Sequence, residues 1–169
     1  MKIELRAWTL ADAEDLMALC NAVDRSFLSD RLPNPYIIKD AEDWLCRVSL
    51  SEGVSGIYRA IVIDEQVIGS ISVEQKDDVL RIDGEIGFML HGDYWNRGVM
   101  TEAVNQMCVI AFHDLSLERI TANVYQPNIA SKVVLRKNGF VHEGTLKRAV
   151  IKNGVIYDLC IFGLIKKPV

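Results

Sequence analysis

The sequence predicts an α/β (α+β) domain on a mixed, mostly antiparallel seven-stranded sheet flanked by about four helices. Three observations point there. Half of the 169 residues are apolar and a quarter charged, the balance of a chain that packs a core and not of a disordered one. From Ile57 onward, three short alternating runs separated by brief turns read as an antiparallel meander. A polar turn and an amphipathic run, GDYWNRGVMTEAVNQMCVIAF from Gly92 to Phe112, then stand between the meander's last strand and another strand at Ile120. A strand, helix, strand unit of this kind implies a parallel pair and a right-handed crossover.

The elements follow in order. Ile3 to Ala7 alternates as a strand, and Thr9 caps a helix through Cys20 with Leu10, Ala13, Leu16, Met17 and Cys20 on one face and Asp12 near its positive end. Arg25 to Lys39, RSFLSDRLPNPYIIK, has two prolines and no clean period, so it reads as a loop ahead of a helix from about Asp40 to Leu50. IYRAIVI, VIGSISVEQ and LRIDGEIGFML form the meander, with turns at Asp64-Glu65-Gln66 and near Asp77-Asp78. A helix beginning near Gly98 carries Thr101, Ala103, Val104, Met107, Cys108 and Ala111 on its apolar face. Glu118 to Tyr125 is a strand, Ile129 to Lys137 a short helix and Phe140 to Val150 a strand, and Asn153-Gly154 marks a tight hairpin into VIYDLCIFGLI. The order is βααβββαβαββ, without internal repeat or linker, and one domain over residues 1–169 is expected.

The composition also excludes some functions. Net charge is −4 and no run of Lys or Arg stands out, so the broad basic face that nucleic acid requires is missing. Cys20, Cys46, Cys108 and Cys160 are widely separated, which supports neither a zinc site nor a disulfide framework and points to a reducing, cytoplasmic setting with buried thiols. The N-terminus lacks a signal peptide's apolar segment, and no window approaches the ~18 apolar residues of a membrane span, so a soluble chain with no membrane partner is expected. The sequence leaves a homodimer open.

The chemistry starts at the turn before the third helix. A helix beginning near Gly98 leaves its first amides unpaired and carries roughly half a positive charge at that end, so it favours an anion, particularly a phosphate. Gly98 lets backbone approach closely and Arg97 adds positive charge. Neither G-x-x-x-x-G-K-[ST] nor G-x-G-x-x-G occurs, so another phosphate carrier is needed.

GEIGFMLHGDYWNRGVMTEAV followed by NVYQPNIASKVVLRKNGFVHEGTLKRAV resembles the central and C-terminal motifs of the GNAT N-acetyltransferase superfamily, especially its Rim-type branch, which includes ribosomal-protein N-terminal acetyltransferases. LRAWTLADAEDL and GVIYDLCIFGLI also suit that branch. The resemblance implies acetyl-CoA as cosubstrate. The family's turn, Gln/Arg-x-x-Gly-x-Gly/Ala, falls on Trp95, Asn96, Arg97, Gly98, Val99 and Met100, with Trp95 and Met100 departing from it, and the amides from Arg97 to Thr101 would hold the pyrophosphate. By resemblance the strand GEIGFML carries a bulge and splays from its parallel neighbour to admit the pantetheine arm, with an amide near Met89 or Leu90 donating to the thioester carbonyl. Asn128 and Ser131 match the family's N-x-x-S, which places Asn128 against pantetheine and Ser131 near its sulfur; helix capping is the simpler role of Asn128.

Producing a neutral nucleophile at pH 7 costs about 1 kcal/mol for an α-amine and about 5 kcal/mol for a lysine amine. Glu85 is the first candidate for general base, acting through ordered water, and Asp158 the second; a structural carboxylate pairing across the sheet is the competing role of Glu85. His91, His113 and His142 have no metal-like spacing and no metal is assigned, while Tyr157 matches a late-strand tyrosine near some family sites. Acceptor contacts are expected from the irregular N-terminal segment, with Phe27, Tyr36 and Trp44 as walls beside Glu85. The acidic balance favours a cationic amine. A protein N-terminus, a polyamine and an aminoglycoside all stay open as acceptors, as does a non-catalytic acyl-CoA sensor. Cys108, on the apolar helix face, is expected to be no nucleophile.

Overall fold

The structure, a computed structural model, describes residues 2–168. Seven strands, β1 (Glu4–Ala7), β2 (Gly56–Ile63), β3 (Gln66–Gln75), β4 (Asp83–Leu90), β5 (Arg119–Tyr125), β6 (Val141–Lys152) and β7 (Val155–Ile165), form one sheet in the order β1-β2-β3-β4-β5-β7-β6. Four helices, α1 (Ala13–Ala22), α2 (Ile38–Ser51), α3 (Val99–Asp114) and α4 (Ile129–Lys137), complete the expected order. Every strand pair is antiparallel except β4 with β5, which the α3 crossover joins in parallel.

Side-chain alternation divides the sheet into two faces. Ile71, Val73, Ile86, Leu90, Ile120, Ala122, Val124, Cys160 and Phe162 point to one face and pack against Val99, Met100, Ala103, Val104, Met107 and Ala111 of α3. On the other face, α1 and α2 make a smaller cluster of Leu16, Cys20, Tyr36, Ala41 and Leu45, which Trp8, Trp44 and Met89 join. Beyond that cluster the second face is polar, with Ser72, Glu74, Glu85, Gly87, Thr121 and Asn123 side by side on β3, β4 and β5.

Several boundaries differ from the sequence reading. Thr9 opens a single 3-10 turn, Leu10–Asp12, and α1 starts only at Ala13, which leaves Leu10 off the core face and 65% exposed. Asp12 does more than face a helix end: its carboxylate accepts both guanidinium nitrogens of Arg6 at 2.9 Å and the Thr9 amide at 2.7 Å, tying β1 to α1. α2 begins at Ile38, because Asp40 reaches back to accept the Ile37 amide at 2.9 Å. Leu80 lies in an exposed 3-10 turn, and β4 starts at Asp83. Three of the four thiols are buried, but Cys46 is exposed on α2.

Candidate active site

The parallel contact between β4 and β5 is brief. Its register runs Asp83 to Arg119, Gly84 to Ile120 and Glu85 to Thr121, then stops, although β4 continues to Leu90 and β5 to Tyr125. The two strands part there. The bulge that the resemblance implies is absent, since β4 pairs with β3 in unbroken register from Gly84 opposite Gln75 to Leu90 opposite Gly69. The gap opens instead because β4 follows β3 while β5 stays with β7 through Tyr125 opposite Leu159.

Backbone parity decides which groups face the gap. In an antiparallel pair, alternate residues direct both N–H and C=O to the same neighbour. The His91 amide donates to Ile68 at 2.8 Å and Lys76 donates to the Asp83 carbonyl at 2.9 Å, so the odd-numbered residues of β4 face β3. The amide of Met89 is thus turned toward β3, whereas Phe88 and Leu90 present theirs to the gap. Gln126 donates to Asp158 and Lys166 to Glu118, which assigns the even-numbered residues of β5 to β7 and turns Asn123 and Tyr125 toward the gap. The Leu90 carbonyl is occupied by the indole N–H of Trp95 at 3.0 Å, and its amide remains. Phe88 and Asn123 have no side-chain feature that marks them in the sequence; only the register does.

At the gap's mouth the chain turns into α3. Gly98 is the N-cap with φ +77°, a left-handed conformation that side chains rarely adopt, and a Cβ there would meet nothing within 4 Å. No side chain caps α3, so the amides of Val99, Met100 and Thr101 lack the acceptors that a cap supplies. Val99 and Met100 bury their side chains under the sheet, which leaves their backbone as what they offer a ligand. Arg97 is exposed, with its guanidinium 5.6 Å from the centre of the Tyr94 ring. Open space, unpaired amides and a nearby cation fit a pyrophosphate.

Across the gap, Asn128 caps α4, its side-chain oxygen accepting the Ser131 amide at 3.2 Å. The capping role is therefore present, and the Ser131 hydroxyl makes no hydrogen bond among the described residues. Lys132, buried in the same turn, donates to the Gln126 carbonyl at 2.5 Å and holds the β5–α4 connection in place.

The other sequence candidates separate. Glu85 is exposed on the polar face, without an ion-pair partner among the described residues, and stands opposite Glu74. Cross-sheet pairing with a cation does not occupy it. Asp158 lies on the other face: it alternates with Leu159, the register partner of Tyr125, whereas Glu85 aligns with Thr121 and so with Gly163. Its carboxylate accepts the Arg148 amide at 2.8 Å and the Lys147 ammonium at 3.1 Å, and these contacts, the backbone bond foremost, lower its pKa below the usual carboxylate value and make it a weaker base. Tyr157 pairs with Val150 on β6, half-buried.

Phe27 sits edge-on to Tyr125, ring centres 6.2 Å apart, and brings the loop after α1 over the end of β5. Tyr36 is not a wall of the open cleft. It is buried between α1 and α2 beside Cys20, its amide and carbonyl are both held by Asn21, and burial pushes its phenol pKa up. Trp44 likewise packs edge-on against Trp8 and Tyr58. Burial also pushes the Cys108 thiol to about 12, so it stays protonated. His91 lies at the end of β4 beside Tyr94, and no cluster of three or more His, Cys, Asp or Glu side chains suits a metal among the described residues. No helix of the described residues is long and apolar enough to cross a membrane.

Residues 2–141 match the family model of the acetyltransferase (GNAT) domain. The chain belongs to the GNAT N-acetyltransferase family. Two Bacillus subtilis relatives of this GNAT chain are the probable N-acetyltransferase YjcK, 39% identical over 103 residues, and the putative ribosomal N-acetyltransferase YdaF, 29% identical over 114. These alignments cover 61% and 68% of the chain but 56% and 62% of the relatives, so it spans less than two thirds of their length. The GNAT fold recurs in RimL, a ribosomal L7/L12 alpha-N-protein acetyltransferase in complex with coenzyme A, with a TM-score of 0.87 at 19% identity over 98% of this chain and 94% of that one. It recurs too in the ribosomal-protein-S5-alanine acetyltransferase from Vibrio fischeri, with a TM-score of 0.84 at 24% identity over 98% and 93%. At these identities the likeness is one of fold.

Proposed function

We propose that this chain is an acetyl-CoA-dependent N-acetyltransferase that passes acetyl directly to a primary amine, with a protein N-terminal α-amine as the favoured acceptor. The observation that carries the reading is the parting of β4 from β5 beyond Glu85 and Thr121, directly beside the uncapped N-terminus of α3. An extended arm ending in a pyrophosphate suits that shape. The amides from Arg97 to Thr101 hold the phosphates, and the gap-facing backbone of Phe88, Leu90, Asn123 and Tyr125 pairs with the amides of the arm. Asn128 lines the same gap from α4.

Acetyl-CoA supplies an acetyl group activated as a thioester. The acceptor nitrogen bonds to the acetyl carbon as the carbon–sulfur bond breaks, the nitrogen's proton passes through water toward Glu85, and the Ser131 hydroxyl hydrogen-bonds the departing thiolate and relays to it a proton from water, regaining its own. The Leu90 amide is the donor placed for the developing oxyanion, a kind of contact worth about 3 kcal/mol. No protein nucleophile is needed, in keeping with a buried, protonated Cys108. An α-amine favours the scheme because it loses its proton for about 1 kcal/mol at pH 7, against about 5 kcal/mol for a lysine amine. RimL and the S5 enzyme are described by their acetylation of ribosomal proteins, which supports the same class of acceptor.

The test is thiol release from acetyl-CoA across peptides, polyamines and aminoglycosides. Release with peptides bearing a free α-amine, absent when that amine is blocked, supports the reading. Release only with a polyamine or an aminoglycoside moves the acceptor to small molecules, and acetyl-CoA binding without release for any amine makes the chain a sensor.

A further inference from the structure

Resting on the acetyl-transfer reading, we propose that Glu74 is a specificity-determining residue of this site and that it selects an acceptor with a second positive charge beside the reacting amine. Glu74 of β3 stands directly opposite Glu85 of β4, and both are exposed on the polar face. Like charges placed directly across strands repel, so the pair costs stability unless a cation joins it. Among the described residues no cation forms an ion pair with either carboxylate, although Arg47 of α2 acts on the same Tyr58 hydroxyl as Glu74 does. The neighbouring charges on this face, Lys76, Asp83, Arg119 and Glu143, are two cations and two carboxylates that satisfy one another: Lys76 and Arg119 reach Asp83 at 2.6 and 3.6 Å, and Arg119 also pairs with Glu143. Glu74 and Glu85 are left as an uncompensated pair among the described residues.

The surroundings leave room for a ligand. Gly87, next after Glu85 on the same face, has no side chain, and a Cβ built there would meet nothing within 4 Å. On Glu74's outer side its β2 partner is Gly56, over which the Tyr58 ring folds, its atoms 2.8 Å from where a Cβ would stand. Tyr58 is buried, so the exposed Glu74 carboxylate beside it is the group that suits an ammonium or guanidinium. The geometry divides the labour: Glu85 borders the gap where acetyl transfer occurs, and Glu74 lies one strand spacing, about 4.8 Å, farther out. A diamine meets this requirement, as does a peptide N-terminus followed by Lys or Arg.

The experiment measures, for each protein variant, the ratio of kcat/KM for a dicationic acceptor to that for its monocationic match. One arm compares 1,4-diaminobutane with butylamine; the other compares peptides whose second residue is Lys with those having Ala or Glu there. A ratio within one variant is insensitive to the fraction folded. Wild type should favour the dication by ~10-fold or more, chiefly through KM. Glu74→Gln should bring the ratio near one, Glu74→Asp should keep part of it, and Glu74→Lys should turn preference toward the peptide with Glu in second place. The arm that shows the effect names the source of the second charge. Thiol release with no dication preference in wild type, or an equal preference in Glu74→Gln, overturns this inference and leaves acetyl transfer standing; no release with any amine overturns both.

Discussion

The Thr121 hydroxyl donates to the Asp83 carboxylate, 2.8 and 2.9 Å from its two oxygens, and joins β4 to β5 at the closed end of the gap between them. Both residues are buried, and Asp83 also accepts from Lys76 at 2.6 Å. This side-chain lock lies where the backbone pairing is only three residues long. Thr121→Val leaves a buried carboxylate short of a donor, and should cost about 1–3 kcal/mol. Thermal unfolding should then come several degrees lower, since about 1 kcal/mol moves Tm by ~2–4 °C in a domain of this size. An unchanged Tm would remove the lock from the account.

At Gly98 the backbone is left-handed and the space above it open. Gly98→Asp adds a strained side chain and a negative charge where phosphates are to sit, so the Kd for acetyl-CoA should rise at least ~10-fold, equivalent to about 1.4 kcal/mol. Calorimetry on the variant, with circular dichroism to show that it is folded, checks this. Equal affinity in a folded variant places the phosphates elsewhere.

The tie between Asp12 and Arg6 sets a pH dependence of stability. The Arg6 hydrogen bonds are the main cause of a lowered Asp12 pKa, opposed in part by burial. A carboxyl depressed in the folded state contributes stability that is fully present above its unfolded value, near ~3.9, and is lost as pH falls through the folded value. Asp12→Asn should accordingly be less stable than wild type at pH 7. The difference should close only as pH falls below ~3.9, which denaturant titrations across pH will follow.

Much of the fold was legible because its signals are local. Alternation in IYRAIVI and VIGSISVEQ, and the apolar face of Val99 to Ala111, need only neighbours in sequence, and the β4–α3–β5 crossover follows from chain order. The residues misplaced by sequence depend on register or tertiary contacts. Nothing local distinguishes Met89 from Phe88, yet parity turns one amide to β3 and the other to the gap. Asp158 looks like an available acid until its face and its partners Lys147 and Arg148 are known. Tyr36 sits in an irregular segment that reads as a loop over a cleft, but Asn21 holds it in the core. Glu74 escaped notice because its meaning lies in the residue opposite.

Glu85 and Ser131 have separable roles in the proposed reaction. Glu85→Gln keeps the shape but cannot take the amine proton, so kcat/KM for the acceptor should fall by ~10²–10⁴-fold near neutral pH. The loss should shrink as rising pH delivers the amine already neutral. Ser131→Ala should lower kcat throughout the pH range with little change in acceptor KM. Equal, pH-independent losses in both variants would point to disturbed geometry in place of proton transfer.

The parted strands and the start of α3 are proposed to form the acetyl-CoA site together, and residue-resolved amide hydrogen exchange with and without acetyl-CoA reads that site amide by amide. The amides of Phe88, Leu90 and Asn123 on the gap, and of Val99, Met100 and Thr101 on the helix, should exchange more slowly when acetyl-CoA is bound. The Met89 amide, turned toward β3, should change far less. Saturable binding that leaves all six amides unprotected, or that protects Met89 while sparing Phe88 and Leu90, would place acetyl-CoA elsewhere.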